Sequence, residues 1–146
     1  MSLSPKNWGR SGWKMFHTVA LGYPDNPTQE DKNNYFQYYN SLRYTLPCKK
    51  CRNNYSDHFN KYPLDDKALS SKTNLINWTI DMHNIVNYYT GKPLLSYPEA
   101  YEQIYKVENN DESYNRYFYY ILIVLIIIIV LLIIYYLYRR SKNISW

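Results

Sequence analysis

At 146 residues the chain has room for one compact domain and an appendage. Its formal charge of +5 includes Arg139, Arg140 and Lys142 near the C-terminus; the remainder has no basic stripe with interleaved aromatics, which excludes a nucleic-acid groove and a nucleic-acid partner. Its two cysteines, Cys48 and Cys51, are too few and too close together for a disulfide scaffold.

Met1 to Trp13 is polar and lacks an apolar h-region, so it does not read as a signal peptide. Helical spacing begins at Asn7 and continues to Leu21, placing Trp8, Met15 and Val19, with Gly12 and Phe16, at helical intervals. Gly22-Tyr23-Pro24-Asp25-Asn26-Pro27 breaks it. Thr28 with Asp31 forms a capping-box pattern, predicting a helix from about Gln29 to Tyr44. Leu46-Pro47-Cys48 opens the next helix, with Pro47 expected at its first position, where a missing N–H costs nothing. Tyr62-Pro63-Leu64-Asp65-Asp66 ends that helix. Ser71-Lys72-Thr73-Asn74 starts a fourth, running to about Tyr89 and closed by Gly91-Lys92-Pro93. Ser96-Tyr97-Pro98-Glu99 starts a short fifth helix through about Val107, and polar Glu108 to Asn115 reads as a linker.

Residues Ile121 to Ile134 are only Ile, Leu and Val, and tyrosines flank the run on both sides. A helix over Tyr117–Tyr138 would span roughly 33 Å at about 1.5 Å per residue, which matches a bilayer core of about 30 Å. The tyrosines fit an interfacial belt. A buried core helix is the alternative, but so small a domain could hardly wrap every face of one. The fold class is therefore all-α: a four-helix bundle with a short fifth helix, then a single C-terminal transmembrane helix. The expected divisions are a catalytic domain over 1–107, a linker over 108–116, the span over 117–138 and a basic tail over 139–146. A lone C-terminal span without a signal resembles a tail anchor and would leave the domain facing the cytosol. The basic C-terminal flank argues for the opposite orientation; the tail anchor is the favoured expectation.

Three constellations can carry chemistry. In Pro47-Cys48-Lys49-Lys50-Cys51 the thiols are spaced to share a helix face and form a disulfide. A helix N-terminus, with Lys49, Lys50 and Arg52 nearby, would lower their thiol pKa. A bland alternative is a pair of ordinary thiols. A second is half of a zinc site, with His58 and His83 as the other two ligands, although that spacing matches no common finger. A thioredoxin-like setting would need a βαβ unit, and none is visible. In the second constellation, His83 and Asn87 are i, i+4 neighbours on one helix face, with Asn84 to one side and Trp78 preceding. Such a set could stack on and hydrogen-bond a flat heterocycle, or be only a polar helix face. The third is Gly9-Arg10-Ser11-Gly12-Trp13 with His17, where Trp13 and His17 share a face and Arg10 could meet a phosphate. Here the alternative is a core tryptophan and a surface arginine.

Taken in order, the three sets resemble the Erv/ALR family of FAD-linked sulfhydryl oxidases. The family pattern runs G-R-x-x-W-x-x-x-H, P-C-x-x-C, then H-N-x-V-N-x-x-x-G-K-P. Here it is matched by Gly9-Arg10 with Trp13 and His17, by Pro47-Cys48 with Cys51, and by His83-Asn84-Ile85-Val86-Asn87 with Gly91-Lys92-Pro93. The resemblance covers roughly residues 5–106 and is closest in style to the short forms of large cytoplasmic DNA viruses. It implies a helical bundle that cradles FAD, usually as a homodimer. Gly9, Arg10, Trp13, His17, Asn54, His83, Asn84, Asn87, Lys92 and Tyr97 are the cofactor contacts it implies. It also implies that Cys48 exchanges with a substrate dithiol and that Cys51 faces the flavin. O₂ would be the terminal acceptor, reduced to hydrogen peroxide.

The chain departs from the family in two places. Many relatives tie the HN-x-VN helix to the following segment with a second disulfide; the matching positions here are Ile80 and Tyr97, so packing is expected to replace it. Many also carry a shuttle C-x-x-C, and this chain has no third cysteine. The implied partners are thus an external dithiol protein, in one version a separate redox shuttle, and a membrane, whether of a virion or of a host.

Overall fold

The computed structural model describes residues 3–144, with side chains over 3–106 and 116–140. Among them the regular structure is helical: α1 (Pro5–Leu21), α2 (Gln29–Thr45), α3 (Lys49–Lys61), a 3₁₀ turn (Ala68–Ser70), α4 (Lys72–Tyr89) and α5 (Tyr97–Ile144). The chain divides into two compact units, Met1–Tyr105 and Lys106–Trp146.

Local chemistry sets the helix boundaries. Ser4 caps α1, with Pro5 in its first turn. Thr28 and Asp31 form the reciprocal capping box of α2. Ser71 accepts the Asn74 N–H at the start of α4. Gly91 follows α4 at φ +67°, a conformation that costs a residue without a Cβ nothing. Ser96 and Glu99 bond to one another where α5 begins.

One expectation is corrected at α3. Pro47 does not occupy the first helical position, because Cys48 is the N-cap, in extended geometry, and its sulfur accepts the Cys51 N–H at 3.2 Å. A second difference concerns α5. The fifth helix does not stop near Val107, and the stretch read as a linker is helical, within one helix from Tyr97 to Ile144. Polarity misled there: no proline or glycine lies between Glu99 and the C-terminus to break the helix. The side chains of that stretch, and of Lys142 in the basic tail, lie outside the described residues.

The core of the first unit is aromatic. Phe16, Tyr39, Tyr55, Phe59 and Trp78 come from α1 to α4 and are all buried. Phe16 meets Tyr39 edge-on at 4.9 Å, and Tyr39 meets Trp78 at 5.2 Å, geometry that the ring quadrupoles favour. The hydroxyls buried with these rings have backbone partners: Tyr23 donates to Leu69 O, Tyr39 to Phe16 O and Tyr55 to Tyr39 O, at 2.9–3.0 Å. Each bond also ties two elements together.

In the second unit, Arg116–Arg140 is long and apolar enough to cross a membrane, and none of it is buried by the protein. Its Ile, Leu and Val side chains are exposed all round, a surface that suits lipid rather than water.

Candidate active site

The three-residue run from Leu46 to Cys48 turns the chain from α2 into α3. Arg52 Nη1 donates to Leu46 O at 2.5 Å and holds that turn. Cys48 and Cys51 are joined in a disulfide with Cα atoms 5.0 Å apart, inside the usual range. Cys48 is buried at 6% exposure, while Cys51 is partly exposed. Arg52 is thus committed to the turn; Lys49 and Lys50 remain exposed beside the disulfide.

Both cysteines line a cleft of about 620 Å³, a size suited to an organic cofactor. Gly9 and Trp13 from α1, Asn54 and His58 from α3, and Val86 and Tyr89 from α4 share its walls. A Cβ built on Gly9 would meet nothing within 4 Å. No packing inside the protein therefore requires glycine at this position, although a helical glycine costs about 1 kcal/mol relative to alanine. Gly12 differs: a Cβ there would come within 2.9 Å of the Trp8 ring.

Trp13 connects this cleft to a histidine pair. Its indole stacks on His83 of α4, centroids 3.9 Å apart and planes 8° apart. His17 Nε2 lies 3.0 Å from His83 Nδ1, and His17 Nδ1 lies 3.0 Å from Thr79 Oγ1. Burial drives the His17 pKa down to about 3, with the His83 charge adding to the effect. Burial also lowers His83 to about 4, with a contribution from Lys92. Both rings are therefore neutral at pH 7. Thr79, fully buried four residues before His83, is the participant that the sequence motifs did not single out; the i, i+4 spacing was its only local signal.

The remaining predicted residues have distinct settings. Asn84 uses its whole amide on one backbone unit: Nδ2 donates to Leu95 O at 2.8 Å, and Oδ1 accepts the Leu95 N–H at 3.0 Å. Asn87 is 7% exposed, and its amide has no hydrogen bond to another described residue. Its carbonyl accepts the Lys92 N–H at 2.9 Å. Tyr97 donates to Asp81 Oδ1 at 2.9 Å and lines a separate cleft with Trp78 and Met82. Arg10 and Lys92 are exposed. Trp78 is not a stacking platform: it is buried, and its Nε1 donates to Tyr62 O.

The zinc alternative fails on chemistry. Cys48 and Cys51 offer disulfide sulfurs rather than thiolates, and His83 Nδ1 is engaged with His17. His58 stacks on Tyr89 instead. Among the described residues no cluster of His, Cys, Asp and Glu is arranged to hold a metal.

The model of the Erv1/Alr family matches residues 10–106. The chain belongs to the Erv1/Alr family. It is 60% identical over 115 residues to a probable FAD-linked sulfhydryl oxidase of Acanthamoeba polyphaga mimivirus, covering 77% of this chain and 80% of that one. An FAD-linked sulfhydryl oxidase of Saccharomyces cerevisiae is 33% identical over 89 residues, or 61% of this chain and 44% of the yeast protein. Among solved structures, the FAD-binding domain of Erv1 from Saccharomyces cerevisiae superposes with a TM-score of 0.60 at 28% identity, over 64% of this chain and 87% of that one. The Erv1/Alr match ends where the first compact unit does, within a residue of Tyr105.

Proposed function

We infer that the chain is an FAD-linked thiol oxidase that forms disulfide bonds in partner proteins. The observation that carries this is the Cys48–Cys51 disulfide in the wall of a largely apolar cleft that Gly9 and Trp13 also line. The cleft fits a flavin nucleotide. Gly9 leaves open space facing it, and Asn87 offers an amide with no bond to another described side chain. Trp13, His17, Asn54, His83 and Asn87 would hold the cofactor. Exposed Arg10 and Lys92 would meet its diphosphate. Asn84 and Tyr97 act by fixing the segment that carries Lys92. FAD, when bound, supplies a two-electron acceptor between the cysteine dithiol and O₂, with hydrogen peroxide as product.

The protein's own step is thiol–disulfide exchange. A substrate thiolate attacks Cys48 Sγ, the Cys48–Cys51 bond breaks, and Cys51 leaves as a thiolate. The second substrate thiolate attacks the substrate sulfur of the mixed disulfide, and Cys48 leaves as a thiolate. The substrate is thereby oxidised, and the cysteine pair reduced. Cys48 is suited to leave because its sulfur accepts the Cys51 N–H at the N-terminus of α3. That bond and the helix dipole stabilise negative charge there, and a better-stabilised thiolate departs faster.

The organisation we propose is a catalytic domain over 1–107, a connection over 108–116, a membrane span over 117–138 and a basic tail over 139–146. The domain works as a homodimer on the cytosolic face of a host or virion membrane. With no third cysteine in the chain, its electrons come from an external dithiol protein.

The test is the absorbance of the purified full chain in detergent, before and after addition of dithiothreitol in air, with oxygen uptake recorded. A flavin band that bleaches and recovers as O₂ is consumed, and that Cys51→Ser leaves unbleached, supports the assignment. A folded, colourless protein that takes up no added FAD overturns it.

A further inference from the structure

We infer that Thr79 fixes the tautomers of His17 and His83, making His83 Nε2 a hydrogen-bond acceptor that selects a hydroxyl or amine donor of the bound nucleotide. The donor half of this rests on the FAD assignment above; the tautomer half does not.

The direction of the chain follows from one short contact. Thr79 Oγ1 lies 2.7 Å from Ile76 O. Two oxygens this close need a proton between them, and a carbonyl has none to give. The Thr79 hydroxyl therefore donates to Ile76 O and offers His17 a lone pair. His17 Nδ1, 3.0 Å away, must carry the hydrogen. A neutral imidazole has one N–H, so His17 Nε2 is an acceptor. His83 Nδ1 sits 3.0 Å from that acceptor and must be the donor. By the same rule, His83 Nε2 is left with its lone pair.

Burial keeps both rings neutral, so neither escapes the rule by taking a second proton. The Trp13 stack holds the plane of the His83 ring and so sets the direction in which Nε2 points. An unprotonated phosphate oxygen would place lone pair against lone pair at this nitrogen. A ribityl or ribose hydroxyl, or the adenine amine, brings the required hydrogen. Diphosphate recognition is thus left to cations such as Lys92, whose charge is felt at His83. Thr79 is a positioning residue: it acts through two imidazoles.

The experiment is long-range ¹H–¹⁵N correlation of the labelled full chain in detergent micelles, recorded without and with added FAD. Both histidines should show a protonated Nδ1 and a bare Nε2, and FAD should move the His83 Nε2 resonance upfield, as donation to a bare nitrogen does. In Thr79→Val the tautomers should mix and FAD bind about tenfold more weakly, the loss of roughly one buried hydrogen bond. Thr79→Ser should restore both. A protonated Nε2 on either histidine of the wild type overturns the relay, as does Thr79→Val with unchanged tautomers. An unmoved His83 Nε2 in FAD-loaded protein overturns the donor selection. Failure of the wild type to bind FAD at all would instead overturn the flavoenzyme assignment, with the tautomer result still standing. If Thr79→Val does not fold, the wild-type and Thr79→Ser spectra decide the relay.

Discussion

The indole of Trp13 lies against the imidazole of His83 with centroids 3.9 Å apart, and that contact joins α1 to α4 beside the disulfide cleft. The same imidazole is hydrogen-bonded to His17, which comes from α1 like Trp13. The two helices are thus held by a flat stack and a polar bond meeting on one ring. Trp13→Leu keeps an apolar side chain but removes the stack, and should cost about 1–3 kcal/mol of stability. Trp13→Phe should recover most of it. Urea unfolding of the full chain in detergent, with flavin content measured on the same samples, checks both; we expect Trp13→Leu to lose flavin well before it loses helix.

Removing either sulfur should separate cofactor binding from turnover. Cys48→Ser and Cys51→Ser each abolish the exchangeable disulfide, and oxygen uptake with dithiothreitol should fall by at least about 100-fold. Flavin should stay bound, since serine is close to cysteine in size and at position 48 its hydroxyl can accept the Cys51 N–H as the sulfur does. So short a loop gives the disulfide little entropic leverage, about 1–2 kcal/mol in the chain-entropy model. A variant that kept its flavin and its oxygen uptake would show that electrons enter elsewhere.

The helix ends were legible in the sequence because their causes are local. Thr28 finds Asp31 within one turn, Ser71 finds Asn74, and Gly91 needs only its own backbone freedom. Cys48 was misplaced because sulfur is an unusual capping group, and proline at a first helical position is the commoner pattern. The site was legible differently. Nothing local says that Trp13 meets a histidine 70 positions on, or that Thr79 completes the pair. The ordered motifs implied that these positions converge, while the contacts themselves depend on how α1 packs on α4. The expected replacement for a second disulfide is packing, and it is present: Ile80 of α4 and Ala100 of α5 are both buried in the core, with Tyr101 and Ile104 packed against it. Hydrogen bonds from Tyr97 to Asp81 and from Tyr101 to Asn77 add to that packing in tying α5 to α4.

Asn84 gives a sharper test of that joint. Its amide makes both hydrogen bonds of a reciprocal pair with the Leu95 backbone. Asn84→Ala leaves that backbone unit to find water, and should destabilise the domain by about 1–3 kcal/mol. Tyr97→Phe removes one exposed bond and should cost under about 1 kcal/mol. FAD affinity should follow the same order, because Lys92 lies on the segment between Asn84 and Leu95. Equal effects of the two changes on flavin affinity would point to direct contact by Tyr97.

The apolar helix predicts partition. Arg116–Arg140 carries no buried surface and no charge within its Ile, Leu and Val run. Expressed full chain should pellet with membranes and resist alkaline extraction. Replacing Ile126 and Ile129 with lysine should release it, since a charge at mid-bilayer costs about 3 kcal/mol on insertion scales. Oxidase activity should survive in the released protein, because the cysteines and the histidine pair belong to the other compact unit.

The buried histidine pair should make stability depend on pH with a definite sign. An unfolded histidine takes up its proton near pH 6.5, whereas folded His17 and His83 stay neutral down to about pH 3 and about pH 4. Between those limits the unfolded chain binds more protons, so stability falls as the pH falls from 6.5 toward 4. Above 6.5 neither state carries the protons and the contribution is flat and fully present. Each histidine can add about 1 kcal/mol per pH unit within the window. His58, whose pKa is also lowered but which is less buried, adds to the same slope more weakly. Asp31 and Glu99, lowered by their capping bonds to Thr28 and Ser96, act only at lower pH, where carboxylates protonate. Urea unfolding at about pH 7.5, 6.5, 5.5 and 4.5 (unit steps across the histidine range) should therefore show a plateau and then a decline. His83→Gln should be less stable at pH 7.5, yet lose less on acidification, because one proton of the difference is gone. A slope unchanged by that substitution would mean that His83 is not held neutral by the fold, and the stack on Trp13 would then have to accommodate an imidazolium.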